Sequence, residues 1–315
     1  MKNFESFFNE GFKHELLEQE SCRKKAANQQ IFGVLLILSS ILFIFFVFKV
    51  NTIIALVVGI SGFIFGAYLS YQAHEYALKL KEFFKQRLIP AMVQNLNANL
   101  NYSHEGGVSK SSFLASKIFQ NTLDIFETED WVKGRVGQTD IEFSEVLAQY
   151  ETRDSKGNKS KHTVFKGIFF ISDFHKDFQG ETYVLRDQAQ RVFGSVGTFF
   201  QRINASRPEL IQMEDPVFEK QFVVYSTDQI ESRYIITPVL MERMTQMNKA
   251  FRGIQFSFIN SKMFVSIPFS ENLFEPKLHT SFHDAAYIEK YFNVLKNCIQ
   301  IVDLLNLNER IWTKN

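Results

Sequence analysis

His279 and His283 lie four residues apart with Asp284 directly after them, a spacing that places metal ligands on one face of a helix. A metal site needs a third ligand, and no other cluster supplies one, so the expected reading is a solvated loop ahead of the last helix. The run Ser172, Asp173, Phe174, His175, Lys176, Asp177 sets acids beside a histidine at the end of an apolar stretch. General acid–base chemistry would need a nucleophile or a substrate pocket alongside; a turn capped by Asp173 is expected instead. The sequence GSVG at 194–197 lacks the two-sided glycine spacing of a nucleophile elbow. In GGVSKSS, 106–112, a phosphate-binding loop would require glycines where Ser109 and His104 stand.

In the later half of the chain the main charged group is Glu214, Asp215, Glu219, Asp228, Glu231, Arg233, Glu242 and Arg243. Asp215 before Pro216 reads as the opening of a turn or helix, and Asp228, three residues before Glu231, as a helix cap. Structural caps and ion pairs are the expected role, with a protein-binding face formed by Glu214, Asp215, Asp228, Glu231, Arg233, Glu242 and Arg243 as the functional alternative. No catalytic residue, cofactor or metal is assigned. Cys22 and Cys298 stand at opposite ends of the chain and read as reduced thiols, because a disulfide scaffold would need more of them. A formal charge of +1 gives no basic excess for nucleic acid to meet.

These residues must be positioned by elements, and the clearest are two uncharged apolar runs, 31–48 and 52–73. At 1.5 Å per residue they would measure roughly 27 and 33 Å, matching a hydrocarbon core of about 30 Å. Lys13, Arg23, Lys24 and Lys25 precede the pair and Lys79, Lys81, Lys85 and Arg87 follow it, whereas the turn holds only Lys49. That asymmetry predicts a multi-pass hairpin with both termini cytoplasmic. Gly62, Gly66 and Ser70 form a small-residue stripe suited to close helix packing, against the first span or against a second copy. Neither span contains an acid, a base or a histidine, which argues against ion-coupled transport.

Phe4, Phe8, Phe12 and Leu16 recur every four residues in an amphipathic segment, 1–30, whose first twenty residues could lie on lipid or on protein. Ala77, Leu80, Phe84 and Leu88 extend the second span into a helical stalk, 74–98, which Pro90 would bend. The polar stretch 99–112 reads as a linker, and 113–315 as a cytoplasmic domain. Within it the spacing predicts a helix over 113–126 and then strands at 131–136, 141–152, 163–173, 182–185, 209–213 and 218–225. Helices capped by Asp228 and Thr237 follow, then a hairpin of 253–259 and 263–267, and a closing helix over 284–305. Strands joined by short turns, with helices grouped rather than alternating, make the fold class α+β on a mainly antiparallel sheet.

The segments TDIEFSEV (139–146), FKGIFFISDFHKDFQGETYV (165–184) and MEDPVFEKQFVVYSTDQIESRYIITPVLMERM (213–244) resemble the bacterial membrane-anchored family known as domain of unknown function 3137. FEP at 274–276 and the pair Ile311 and Trp312 fit the same pattern. The resemblance implies a bacterial inner-membrane protein, with a membrane protein of the LemA type as one conceivable partner, and carries no catalytic residues. Together these features predict a membrane-tethered, non-enzymatic interaction module presenting its domain to a protein or lipid partner. The alternatives are an enzyme of unrecognised type at the membrane surface and an oligomeric membrane scaffold.

Overall fold

An apolar run without charges satisfies its backbone internally as helix, and both runs do so. The computed structural model describes residues 4–174, 176–186 and 208–305. A short helix α1 (Phe4–Phe7) and a π-helical turn at Phe8–Phe12 lead into α2 (Lys13–Val47), and α3 (Thr52–Phe83) runs back beside it. Asn51 starts α3, its side-chain oxygen accepting the Ile54 amide at 3.1 Å. Both helices are long and apolar enough to cross a membrane, yet only 11% and 17% of their most apolar windows are buried. The core helix of a soluble protein would have that window mostly covered. After α3 comes a π-helical turn at Phe84–Leu88 and then α4 (Ile89–Leu96). The turn ends two residues before Pro90, whose ring and missing N–H do not fit a regular α-helical ladder.

The chain divides into two compact units. One gathers the described residues through Asn95 together with Phe274–Val294; the other runs from Leu96 to Leu273 and resumes at Leu295. In the first, the N-terminal segment packs on protein. Phe4, Phe7, Phe8, Phe12 and Leu16 are all buried, and the rings of Phe4 and Phe7 lie 5.6 and 5.7 Å from that of Phe292. Arg87 of the π turn stands over the Phe12 ring and pairs with Glu15 at 3.1 Å. Phe282 and Tyr291 in turn close on Phe84, at 5.4 and 5.7 Å. The four-residue period of phenylalanines is therefore a packing stripe between helices.

The second unit is α+β, and its described residues build a nine-stranded sheet in the order β1-β2-β3-β4-β9-β8-β5-β7-β6, with every neighbouring pair antiparallel. Its strands are β1 (Leu100–Glu105), β2 (Ile125–Val136), β3 (Thr139–Arg153), β4 (Lys159–Asp173) and β5 (Thr182–Arg186), then β6 (Glu209–Ile211), β7 (Phe222–Ser226), β8 (Gln255–Ile259) and β9 (Lys262–Pro268). The helices are α5 (Lys110–Ala115), α6 (Pro216–Glu219), α7 (Gln229–Ile235), α8 (Pro238–Ala250) and α9 (Ala285–Leu304), the last beginning in the first unit and ending in the second. One face of the sheet is packed with aromatics: Phe113 stacks on Phe119 at 5.0 Å and meets Phe169 at 4.8 Å.

Three elements differ from the sequence reading. The stretch expected as a linker carries β1, whose Leu100 lies opposite Gly134. A Cβ on Gly134, which has φ +148°, would come 2.2 Å from the Asn99 carbonyl, so a bare glycine is what lets this edge strand dock. Asparagine-rich composition concealed a strand held by its partner. The helix expected over 113–126 is only α5, capped by Ser109 and ended at Ser116 and Lys117, the latter at φ +51°. Ile118, Leu123 and Phe126 still reach the core, but from a loop and the start of β2. Phe218, expected in a strand, lies instead in α6, because Asp215 caps the Val217 and Phe218 amides and Pro216 takes the first helical position.

Candidate functional site

The ligand chemistry most concentrated among the described residues was not visible as a motif. Glu129 of β2 pairs directly with Glu145 of β3, and Asp130 is the extra residue of a bulge between Glu129 and Val132. The carboxylates of Glu129, Asp130 and Glu145 lie within 4.8 Å of one another, a donor set of the kind hard cations take. Asp130 is fully buried and sits at φ +59°. Like charges directly opposed across a ladder repel, so such a group must be compensated. Part of that compensation is internal to the unit: the Tyr102 hydroxyl donates to Asp130, and the Leu273 amide donates to Glu145 Oε2 at 3.1 Å. Burial, with the negative charge of Asp130 beside it, pushes the Tyr102 hydroxyl far above its ordinary range, which keeps it a donor. No sequence spacing could have found this group, because strand register assembles it.

In the first unit the buried polar centre is Glu20 with Arg23. One helical turn apart on α2, they form a bidentate pair, Nε to Oε2 at 2.8 Å and Nη2 to Oε1 at 2.7 Å. Both also grip the segment ahead of α9. Glu20 accepts from the Ser281 hydroxyl at 3.0 Å and the Phe282 amide at 2.9 Å, while Arg23 donates to the Leu278 carbonyl. The Arg23 guanidinium, aided by those two donors, holds the Glu20 carboxyl down to about 2 against its burial. Lys81 pairs with Glu275 nearby, and the Tyr291 hydroxyl donates to the Glu275 carbonyl at 2.8 Å. His279 and His283 are exposed on turns of this segment, off any helix, so their spacing has no ligand geometry.

The charged residues singled out in the sequence are mostly engaged with backbone. Asp215 caps α6 and Asp228 caps α7. Glu219 accepts the Met213 amide at 2.7 Å, and Glu231 accepts the Gln179 and Gly180 amides at 3.1 and 2.6 Å. Arg233 donates to the Gln212 carbonyl, and Arg243 to the Asp303 and Leu304 carbonyls at the end of α9, where a cation meets the negative end of the helix. Glu242 is exposed and accepts from Gln246, and Glu214 is exposed.

Asp173 ends β4, and the next residue, Phe174, donates its amide to the Ser261 carbonyl of the β8–β9 turn at 2.9 Å. Lys176 donates to the Tyr234 carbonyl at 3.0 Å with its amine 4.6 Å from that ring, and burial lowers its pKa. His175, the GSVG stretch and the Ile311–Trp312 pair lie outside the described residues. Both cysteines are free, and burial pushes the Cys298 thiol up to about 12.

The small-residue stripe of α3 faces α2 of the same chain. A Cβ on Gly62 would lie 2.5 Å from the Ser40 hydroxyl, and one on Gly66 would lie 2.8 Å from the Gly33 carbonyl. Ser70 folds its hydroxyl back onto the Gly66 carbonyl at 3.0 Å.

Residues 163–307, from within β4 to just past α9, match the family model described as Protein of unknown function (DUF3137). No curated protein matches the chain. Among solved structures, the crystal structure of the mycobacterial trehalose monomycolate transport factor A, TtfA, is similar over 72% of this chain and 100% of that one, with 10% identity and a TM-score of 0.36.

Proposed function

We propose, for a chain whose residues 163–307 belong to that family, a membrane-tethered interaction module: α2 and α3 anchor it in a bilayer, and the α+β unit meets a protein partner. The observation that carries the reading is the bare apolar surface of the hairpin, where Phe45, Phe46 and Ile53 are each more than 70% exposed. Water would not tolerate a contiguous surface of that kind, and lipid covers it. The one-sided basic flanks favour cytoplasmic termini at a bacterial inner membrane. The engagement of Asp215, Asp228, Glu231 and Arg243 with backbone supports a scaffold whose exposed surface binds.

Alkaline washing of native membranes tests the anchor, and a photo-crosslinking residue placed in turn at Glu214, Arg233 and Glu242 tests the binding. Retention in the pellet and one discrete adduct shared by these positions are expected. Release into the wash, or no adduct from any of the three, overturns the proposal.

A further inference from the structure

Strands β3 and β4 outrun the sheet. The pairing of β2 with β3 stops at Ile125 opposite Gln149, and that of β9 with β4 stops at Pro268 opposite Gly167. Residues 150–162 therefore form a two-stranded finger with no neighbouring strand on either edge among the described residues. Its base is braced by Tyr150 stacked on His162 at 4.9 Å and by a 2.8 Å hydrogen bond between Thr152 and His162. Its tip is closed by Asp154, whose carboxylate accepts the Lys156 and Asn158 amides and the Asn158 side-chain amide at 2.8–3.0 Å.

The charges on this finger break a local rule. Arg153 is paired across the ladder with Lys159, two cations directly opposed, which weakens a hairpin. Lys159 leans to Glu151 at 2.9 Å, and Asp154 is committed to the turn. Both anions of the finger are thus engaged, while Arg153, Lys156 and Lys161 stand exposed. Glu151, opposite Lys161 in the ladder and paired with Lys159, offsets part of this charge, but four cations against two acids leave a basic surplus that an acidic group from outside can meet. The chain enters the sheet at Leu100, which pairs with Gly134 and through it with Ile141. Arg153 lies at the other end of β3, roughly 40 Å away at about 3.3 Å per residue.

We propose that the β3–β4 finger is a docking element of the module in addition to the surface that carries Glu214, Arg233 and Glu242, and that it receives an acidic protein segment, with Arg153, Lys156 and Lys161 meeting its carboxylates. This inference rests on the binding-module reading and names the partner's chemistry. Charge complementarity of this kind sets encounter rate and salt dependence.

The full chain in zwitterionic lipid nanodiscs is titrated with a fluorescein-labelled twelve-residue peptide of alternating Glu and Ser, read by anisotropy. Salt-sensitive binding is expected, weakened at least tenfold by R153Q/K156Q/K161Q at unchanged melting temperature. The control K220Q/K249Q/K262Q, equal in charge change and also exposed, should bind as the parent does. Equal binding by the parent and the finger variant overturns the inference, as does equal loss in the control. So does a preference for phosphatidylglycerol vesicles over the peptide, which would make the finger a lipid contact. A finger variant that self-associates while still binding peptide also overturns it, since the charges would then only guard bare strand edges. Adducts at Glu214, Arg233 or Glu242 with no finger binding would leave the binding-module reading standing and remove this inference alone.

Discussion

Gly33 and Gly66 meet so closely across the two apolar helices that a Cβ on either would lie 2.8 Å from the other's carbonyl oxygen. The same face brings the Ser40 Cβ within 3.6 Å of a Cβ built on Gly62, inside the range a disulfide spans. A Ser40→Cys, Gly62→Cys variant should therefore oxidise within one chain. A reducible, faster-migrating monomer band on a gel is expected, and a dimer band as the main product would mean that the stripe serves a second copy.

Glu20→Ala should be costly. It leaves Arg23 buried without its partner and frees the Ser281 and Phe282 donors, a change worth about 3–5 kcal/mol. Because the folded carboxyl is held down to about 2, below the ordinary glutamate value of about 4.3, its stabilisation is complete above about pH 4.3. It is lost as pH falls from there towards 2. Thermal melts of the detergent-solubilised chain should show this acid-side slope, and Glu20→Gln should flatten it.

Leu295 is fully buried at the middle of α9, and Leu295→Ala should cost about 2–5 kcal/mol through the cavity it leaves. Lys296 beside it is half-buried, its stem covered as lysine stems commonly are. Lys296→Ala should still shift stability by no more than about 0.5 kcal/mol. Equal melting temperatures for the two variants would mean that α9 is peripheral.

A fragment beginning at Ser111, the boundary that composition suggests, removes β1 and every N-terminal partner of Phe282, Tyr291 and Phe292. It should aggregate or bind a hydrophobic dye, and restoring residues 4–110 should cure both. A monomeric fragment with a cooperative melt would contradict the division of the chain described above.

Much of the fold could be read before it was seen, where one stretch carries its own signal. The apolar runs, the two-residue alternation in β3 and β4, and the caps at Asp228 and Thr237 are local, and each lies where its residues indicated. What could not be read is what distant partners decide. β1 needs Gly134, the Glu129–Glu145 pair needs the β2–β3 register, and the segment around Phe282 needs Glu20. Apolar spacing also misled at Phe113–Phe126, because a loop can supply core side chains at helical intervals.

The grip of Glu20 on Phe282 joins residues 262 positions apart, and that separation imposes an order of events on synthesis. At ~5–20 residues per second, the ribosome delivers Phe282 on the order of tens of seconds after Glu20. Helices α2 and α3 can pair at once, since a short turn joins them. Throughout that interval the Phe4, Phe7 and Phe84 rings wait without the C-terminal segment that will cover them. A nascent chain of this protein therefore passes through a long-lived stage with a finished hairpin and an unfinished first unit, and that stage is when it most needs a chaperone.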